Sequence, residues 1–207
     1  MRVVFMGTPD FAVGTLKAII EAGYDVAAVV TQPDKPKGRS KSLVFSPVKE
    51  EAVAHGITVL QPERARDEAF VEELRTYNAD VIVVVAFGQL LPASIINMPG
   101  YGCINVHASL LPKYRGASPI QWAVIDGCEY SGVTTMKMDE GLDTGDILMV
   151  EKVKLDAKET GGSLFDRLSD VGAQLLVKTL EGLEAGTITP VKQDDSESTY
   201  VKMLHKS

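Results

Sequence analysis

The chain has 207 residues, 45% hydrophobic and 24% charged, without the charge excess or Pro/Gly load of a disordered protein. At about 150 residues per domain this length allows one domain or one and a half, and the net charge of −7 argues against a protein that coats nucleic acid with its whole surface. The longest apolar run, residues 81–87, falls short of the roughly 20 residues of a membrane span, the apolar start is too short for a signal peptide, and Cys103 and Cys128 form neither a C-x-x-C pair nor a disulfide framework, so the expected compartment is the cytoplasm.

Residues 2–6 read as a short buried strand. The following Gly7-Thr8-Pro9-Asp10 is a helix-start signal, with Thr8 as N-cap and Pro9 at the first helical position, and the helix is expected to end near Gly23. Short β-rich runs at 26–30, 58–60, 81–86 and 103–106 alternate with helix-length segments around 46–55 and 67–77, which predicts an α/β fold with a parallel sheet. The run 81–85 has no polar alternation, as expected of a central strand covered on both faces. Residues 132–138 and 147–155 predict a strand pair with a long connection, and Leu164, Leu168, Val171 and Leu175 mark one stripe of a helix that runs to Glu184 and stops at Gly186. Residues 187–207 are polar and read as a linker or strap, leaving the sheet as one domain. Between the second strand and the next helix, residues 32–42 predict an exposed loop that contains Lys35, Lys37, Arg39 and Lys41 against one acid, Asp34. It is either a solvated connection or an arm that contacts phosphates, with RNA as a natural partner.

The candidate chemistry gathers at the end of one predicted strand. His55 lies at a helix C-terminus and His205 in the polar tail, whereas His107 follows the apolar run 103–106, at the carboxyl end of a strand where open α/β sheets place their ligands. Strand alternation puts Asn105 on the same face as His107. The N-x-H pair alone also fits a satisfied structural pair. A carboxylate partner for the imidazole would come from residues 138–146, which hold Asp139, Glu140, Asp143 and Asp146 with two glycines; the same loop also fits a turn whose acids cap their own backbone. The spacing of these residues disfavours a metal site, and no G-x-G-x-x-G, P-loop or G-x-S-x-G motif occurs. An amide, an imidazole and a carboxylate together suit acyl-type transfer, in which an oxyanion forms and a proton moves.

The stretch Asn105-Val106-His107-Ala108-Ser109-Leu110-Leu111-Pro112-Lys113-Tyr114-Arg115-Gly116, followed by Gly141-Leu142-Asp143-Thr144-Gly145-Asp146, resembles the folate-dependent formyltransferases. Gly7-Thr8-Pro9-Asp10-Phe11-Ala12, Thr31-Gln32-Pro33-Asp34 and Ser46-Pro47-Val48-Lys49 are similar to the branch of that family that acts on methionyl initiator tRNA, and the resemblance covers essentially all 207 residues. It implies a Rossmann-like, open, mostly parallel twisted sheet with helices on both faces. It also implies formyl transfer from 10-formyltetrahydrofolate, the donor co-substrate, to the amino group of methionyl initiator tRNA, with no metal. Carried over by motif, Asn105 hydrogen-bonds the formyl oxygen, His107 stabilises the developing oxyanion, and Asp143 sets the charge of His107 and helps move protons through water.

The same resemblance assigns folate contacts to Ser109, Leu110, Leu111 and Pro112, to Phe87, Gly88, Gln89, Leu90 and Leu91, and to Met138, Asp139 and Gly141. It assigns tRNA contacts to Lys35, Lys37, Arg39 and Lys41. Residues 1–189 would be the catalytic domain and 190–207 a linker toward a C-terminal domain absent from this sequence; a monomer with no membrane partner is favoured. Two alternatives stay open: a sibling enzyme that formylates a sugar nucleotide or glycinamide ribonucleotide or hydrolyses formyl-folate, and a folate- or RNA-binding module without turnover.

Overall fold

The computed structural model describes residues 1–205, which fall into two compact units along the chain, 1–104 and residue 105 onward. The first unit contains β1 (Arg2–Gly7), α1 (Asp10–Glu21), β2 (Asp25–Val30), β3 (Lys35–Lys37), β4 (Ser42–Val44), α2 (Pro47–Ala54), β5 (Val59–Leu60), α3 (Glu68–Arg75), β6 (Val81–Val85) and α4 (Ala93–Ile96). Its sheet is parallel throughout, in the order β6-β1-β2-β5. All five residues of β6 are buried, as the unbroken Val/Ile run predicts for a strand covered on both faces, and each such side chain stabilises the fold by roughly 1.5–3 kcal/mol.

Two expectations are corrected here. Thr8 is not the cap of α1: Pro9 takes that place without a side-chain bond, and the helix starts at Asp10. The Thr8 hydroxyl instead donates to the Phe87 carbonyl at 3.0 Å and accepts the Gln32 N–H at 3.2 Å, tying together the chain segments that leave β6 and β2. The basic segment is not an irregular loop either. Lys35–Lys37 and Ser42–Val44 pair antiparallel, with Lys35 opposite Val44, and form an exposed two-stranded ribbon.

The strand β7 (Cys103–His107) crosses the boundary, and its residues 105–107 open the second unit. That unit continues with β8 (Arg115–Gly116), α5 (Pro119–Ile125), β9 (Tyr130–Lys137), β10 (Asp146–Lys154), α6 (Gly161–Ala185), a 3-10 turn (Asp195–Glu197) and β11 (Tyr200–Val201). The order is β10-β9-β7, with β9 and β10 antiparallel, as the predicted strand pair requires. The helix α6 starts with a capping box between Thr160 and Ser163 and ends at Gly186 in the left-handed conformation, at the stop read from the sequence. Its stripe residues Leu164, Leu168 and Leu175 are buried.

The polar stretch after α6 is strapped to the second unit. Val191 exchanges two backbone hydrogen bonds with Ile147, β11 pairs in parallel with β8, and the Trp122 indole donates to the Lys202 carbonyl at 2.8 Å. Gln193 is 5% exposed. The segment 190–207, read as a linker or strap, is held to the second unit as far as Leu204, whose N–H donates to the Ser118 hydroxyl; the last two residues of that segment lie outside the described residues.

Candidate active site

His107 is the last residue of β7 and is 7% exposed. Its Nε2 lies 2.8 Å from the Tyr114 carbonyl oxygen. Because a carbonyl only accepts, Nε2 carries a proton, and Nδ1 is the nitrogen left for chemistry. Nδ1 faces Asp143 Oδ2 at 3.8 Å, beyond direct hydrogen-bond reach, so a proton arriving on Nδ1 would sit beside a carboxylate with room for adjustment between them. The same Oδ2 accepts the Gly116 N–H at 2.8 Å, which fixes the carboxylate. Asn105 is half-buried, and among the described residues no protein group hydrogen-bonds its carboxamide. The structure thus brings the predicted imidazole and carboxylate together and leaves the amide on the same strand uncommitted.

The loop between β9 and β10 separates its acids by role. Asp139 accepts bonds from the Gly141 N–H and the Thr144 hydroxyl, the self-capping arrangement, whereas Asp143 turns to His107. Glu140 and Asp146 are exposed. Asp143 adopts a left-handed φ of 55°, and Gly145 passes so close to β9 that an added Cβ would lie 1.8 Å from the Lys137 oxygen. Ser109 donates to the Lys113 carbonyl, while the Thr134 hydroxyl donates to the Ser109 carbonyl and accepts from the Leu111 N–H. The Ser109 hydroxyl and carbonyl and the Leu111 N–H are thus taken up by Lys113 and Thr134, with Leu110 and Pro112 half-buried and Leu111 buried. Met138 is half-buried and Gly141 exposed.

The remaining candidates lie in the first unit. Phe87 and Leu91 are buried, Gly88 is exposed and Leu90 is 85% exposed. Gln89 is spent on structure: its carboxamide accepts from the Ala65 N–H at 2.7 Å and donates to Gln32 and to the Pro62 carbonyl. Lys35, Lys37, Arg39 and Lys41 are all exposed on the ribbon. Its root is clamped by Lys49, which bonds Asp34 at 2.7 Å and Gln61 at 2.8 Å and lies 3.9 Å from the centre of the Phe45 ring. Hydrogen bonds from Lys49 and Gln61 hold the Asp34 carboxyl below the usual carboxylate range.

Sequence reasoning did not reach Thr134, Gln193 or the main-chain groups of Tyr114 and Gly116 that fix His107 and Asp143. Among the described residues no group of three or more His, Cys, Asp or Glu is arranged to hold a metal ion. Cys103 is fully buried, and burial pushes its thiol up to about 12, which makes it a core residue rather than a nucleophile.

The chain is similar to several known proteins. Residues 1–180 match the family model described as formyl transferase. The whole chain is 98% identical to a methionyl-tRNA formyltransferase of Lachnospira eligens and 53% identical to one of Caldanaerobacter subterraneus, covering 66% and 67% of those proteins. The chain thus spans about two thirds of the length of the curated relatives it matches. Among solved structures, a phosphoribosylglycinamide formyltransferase from Bacillus halodurans superposes with a TM-score of 0.73 at 24% identity, covering 88% of this chain and 95% of that one. An N-formyltransferase from Helicobacter canadensis, solved with folinic acid and dTDP-3-aminofucose, gives 0.70 at 20% identity, covering 96% and 70%. At these identities the two structures speak for a shared fold. With the family model spanning most of its length, this chain belongs to the formyl transferase family.

Proposed function

We propose that this chain carries the formyl-transfer step of a methionyl-tRNA formyltransferase. The donor, 10-formyltetrahydrofolate, supplies a formyl group on nitrogen, and the acceptor is the α-amino group of methionine on initiator tRNA. The neutral amine attacks the formyl carbon, a C–N bond forms, and the bond to the folate nitrogen breaks. The proton lost by the amine ends on that departing nitrogen, so atoms and charge balance. Asn105 donates its free carboxamide N–H to the formyl oxygen as negative charge develops there. His107, oriented by the Tyr114 carbonyl, offers Nδ1 as the proton station, and Asp143 stabilises the charge the ring takes up. Leu110 and Pro112, with Met138 and Gly141, supply apolar and main-chain surface of the kind a flat pterin takes.

The observation that carries this reading is the uncommitted amide of Asn105 on the strand that holds a nearly buried His107 facing Asp143. The choice of acceptor is supported by near-identity to the Lachnospira eligens protein and by four exposed cations on one ribbon, a feature suited to a tRNA backbone. Such a reaction belongs to translation initiation and so to the cytoplasm. The test offers charged initiator tRNA, glycinamide ribonucleotide and an amino-sugar nucleotide in parallel, with labelled donor. Label is expected on methionyl-tRNA alone; label on either small acceptor, or release of free formate, would overturn the assignment.

A further inference from the structure

The strap after α6 reaches into the loop that holds Asp143 through one buried side chain. Gln193 donates from Nε2 to the Asp143 carbonyl at 2.9 Å and to the Gly145 carbonyl at 2.7 Å. Its Oε1 accepts from Arg115 Nε at 3.1 Å and Nη2 at 2.9 Å. Both donor hydrogens and both acceptor lone pairs of the amide are therefore used. Because a guanidinium only donates, Arg115 decides which end of the amide faces it, and the NH₂ end is left to grip the loop. Arg115 is 2% exposed and in turn bonds Asp195 at 2.8 Å and the Tyr200 hydroxyl at 3.1 Å. Its neighbour Gly116 donates the N–H that fixes the Asp143 carboxylate.

We propose that Gln193 is a positioning residue for the transfer site: its amide, oriented by Arg115, holds the backbone at 143 and 145 so that the Asp143 carboxylate faces Nδ1 of His107. The inference rests on the formyl-transfer reading for its catalytic consequence, but the geometry it concerns exists without substrate. Asp143 sits at positive φ, and beside the Gly116 N–H on its carboxylate the two Gln193 bonds hold the main chain at 143 and 145. A displacement on the order of 1 Å at such a site costs about 10²-fold in rate.

Two variants of the full chain test it. Gln193→Met keeps the volume and removes all four bonds; Gln193→Glu keeps the acceptors for Arg115 and turns a carboxylate oxygen toward the two carbonyls, so it reports if the first variant fails to fold. The Gly116 amide signal by NMR, with its hydrogen exchange, reads the position of Asp143 without any turnover. In both variants this signal is expected to shift and exchange faster, in the same direction as in Asp143→Asn measured alongside. In formyl transfer, kcat is expected to fall about 10- to 100-fold with KM for donor and tRNA within about twofold, and the same change placed in the Asp143→Asn background is expected to cost less than about twofold more. An unmoved Gly116 amide, or an equal kcat loss in both backgrounds, overturns the proposal. Absence of transfer by the unaltered chain would instead count against the function, leaving the Gly116 signal to decide the role of Gln193.

Discussion

Strand periodicity puts the candidate site residues Asn105 and His107 on one face, and the apolar run before His107 marks where the strand ends, but the motif resemblance gave them their roles, since the pair alone also fits a structural one. From composition and spacing the third candidate was one of four acids, and only the motif resemblance singled out Asp143. What separates Asp143 from Asp139 is a left-handed φ and a bond from the Gly116 N–H, neither of which has a local pattern. Gln193 had no signal at all, since its partners lie 50 and 78 residues away in a stretch whose composition reads as solvent-exposed. At this scale Asn105→Ala is expected to lower kcat by about 10²–10³ with KM for the donor changed far less, if, as proposed, the amide acts on charge that develops in the transition state. Steady-state kinetics with the donor varied measure this; a rise in KM at constant kcat would make Asn105 a ground-state binding group.

Among the elements, α6 and the β9–β10 connection show how local sequence and long-range contacts share the work. The start, stripe and stop of α6 follow from Thr160, the leucine spacing and Gly186. The helix N-terminus is also held by Glu159, which Ser163, the Asp156 N–H and Arg167 hydrogen-bond while it is charged, drawing its carboxyl below the ordinary 4.5. A carboxyl with a lowered value in the folded state adds stability above its unfolded value, and that contribution disappears as pH falls through the folded one. The loss of stability between pH 7 and acid conditions below about 4.5 is therefore expected to be smaller in Glu159→Gln than in the unaltered chain, as read from urea midpoints at the two pH values. The β9–β10 connection depends on shape instead. With only 1.8 Å available between a new Cβ and the Lys137 oxygen, Gly145→Ala is expected to displace Asp143 and cut kcat at least tenfold while tRNA binding stays unchanged, as filter binding beside the transfer assay would measure.

For the whole molecule, the alternation of strands and helices was enough to reach the α/β class and the parallel pairing of the first unit, because hydrophobic period and segment length are local properties. Residues 187–207 were read as a linker or strap, and a strap is what forms, but the pairing of β8 with β11 that makes it was not legible, since it joins short, unremarkable stretches. The basic ribbon was read correctly as exposed and incorrectly as irregular: its composition reports solvation, not pairing. If its cations contact phosphates, replacing Lys37, Arg39 and Lys41 by Ala is expected to weaken tRNA binding and to flatten the dependence of log K on log salt by about 2 units, measured by binding titrations across ionic strength. An unchanged slope would remove the ribbon from the RNA surface. The most direct test of the account is single-turnover formyl transfer to methionyl-tRNA by His107→Ala with donor and tRNA saturating. The account predicts a rate reduced by at least about 10²-fold with both substrates still bound, and a rate within a few-fold of the unaltered chain would contradict it.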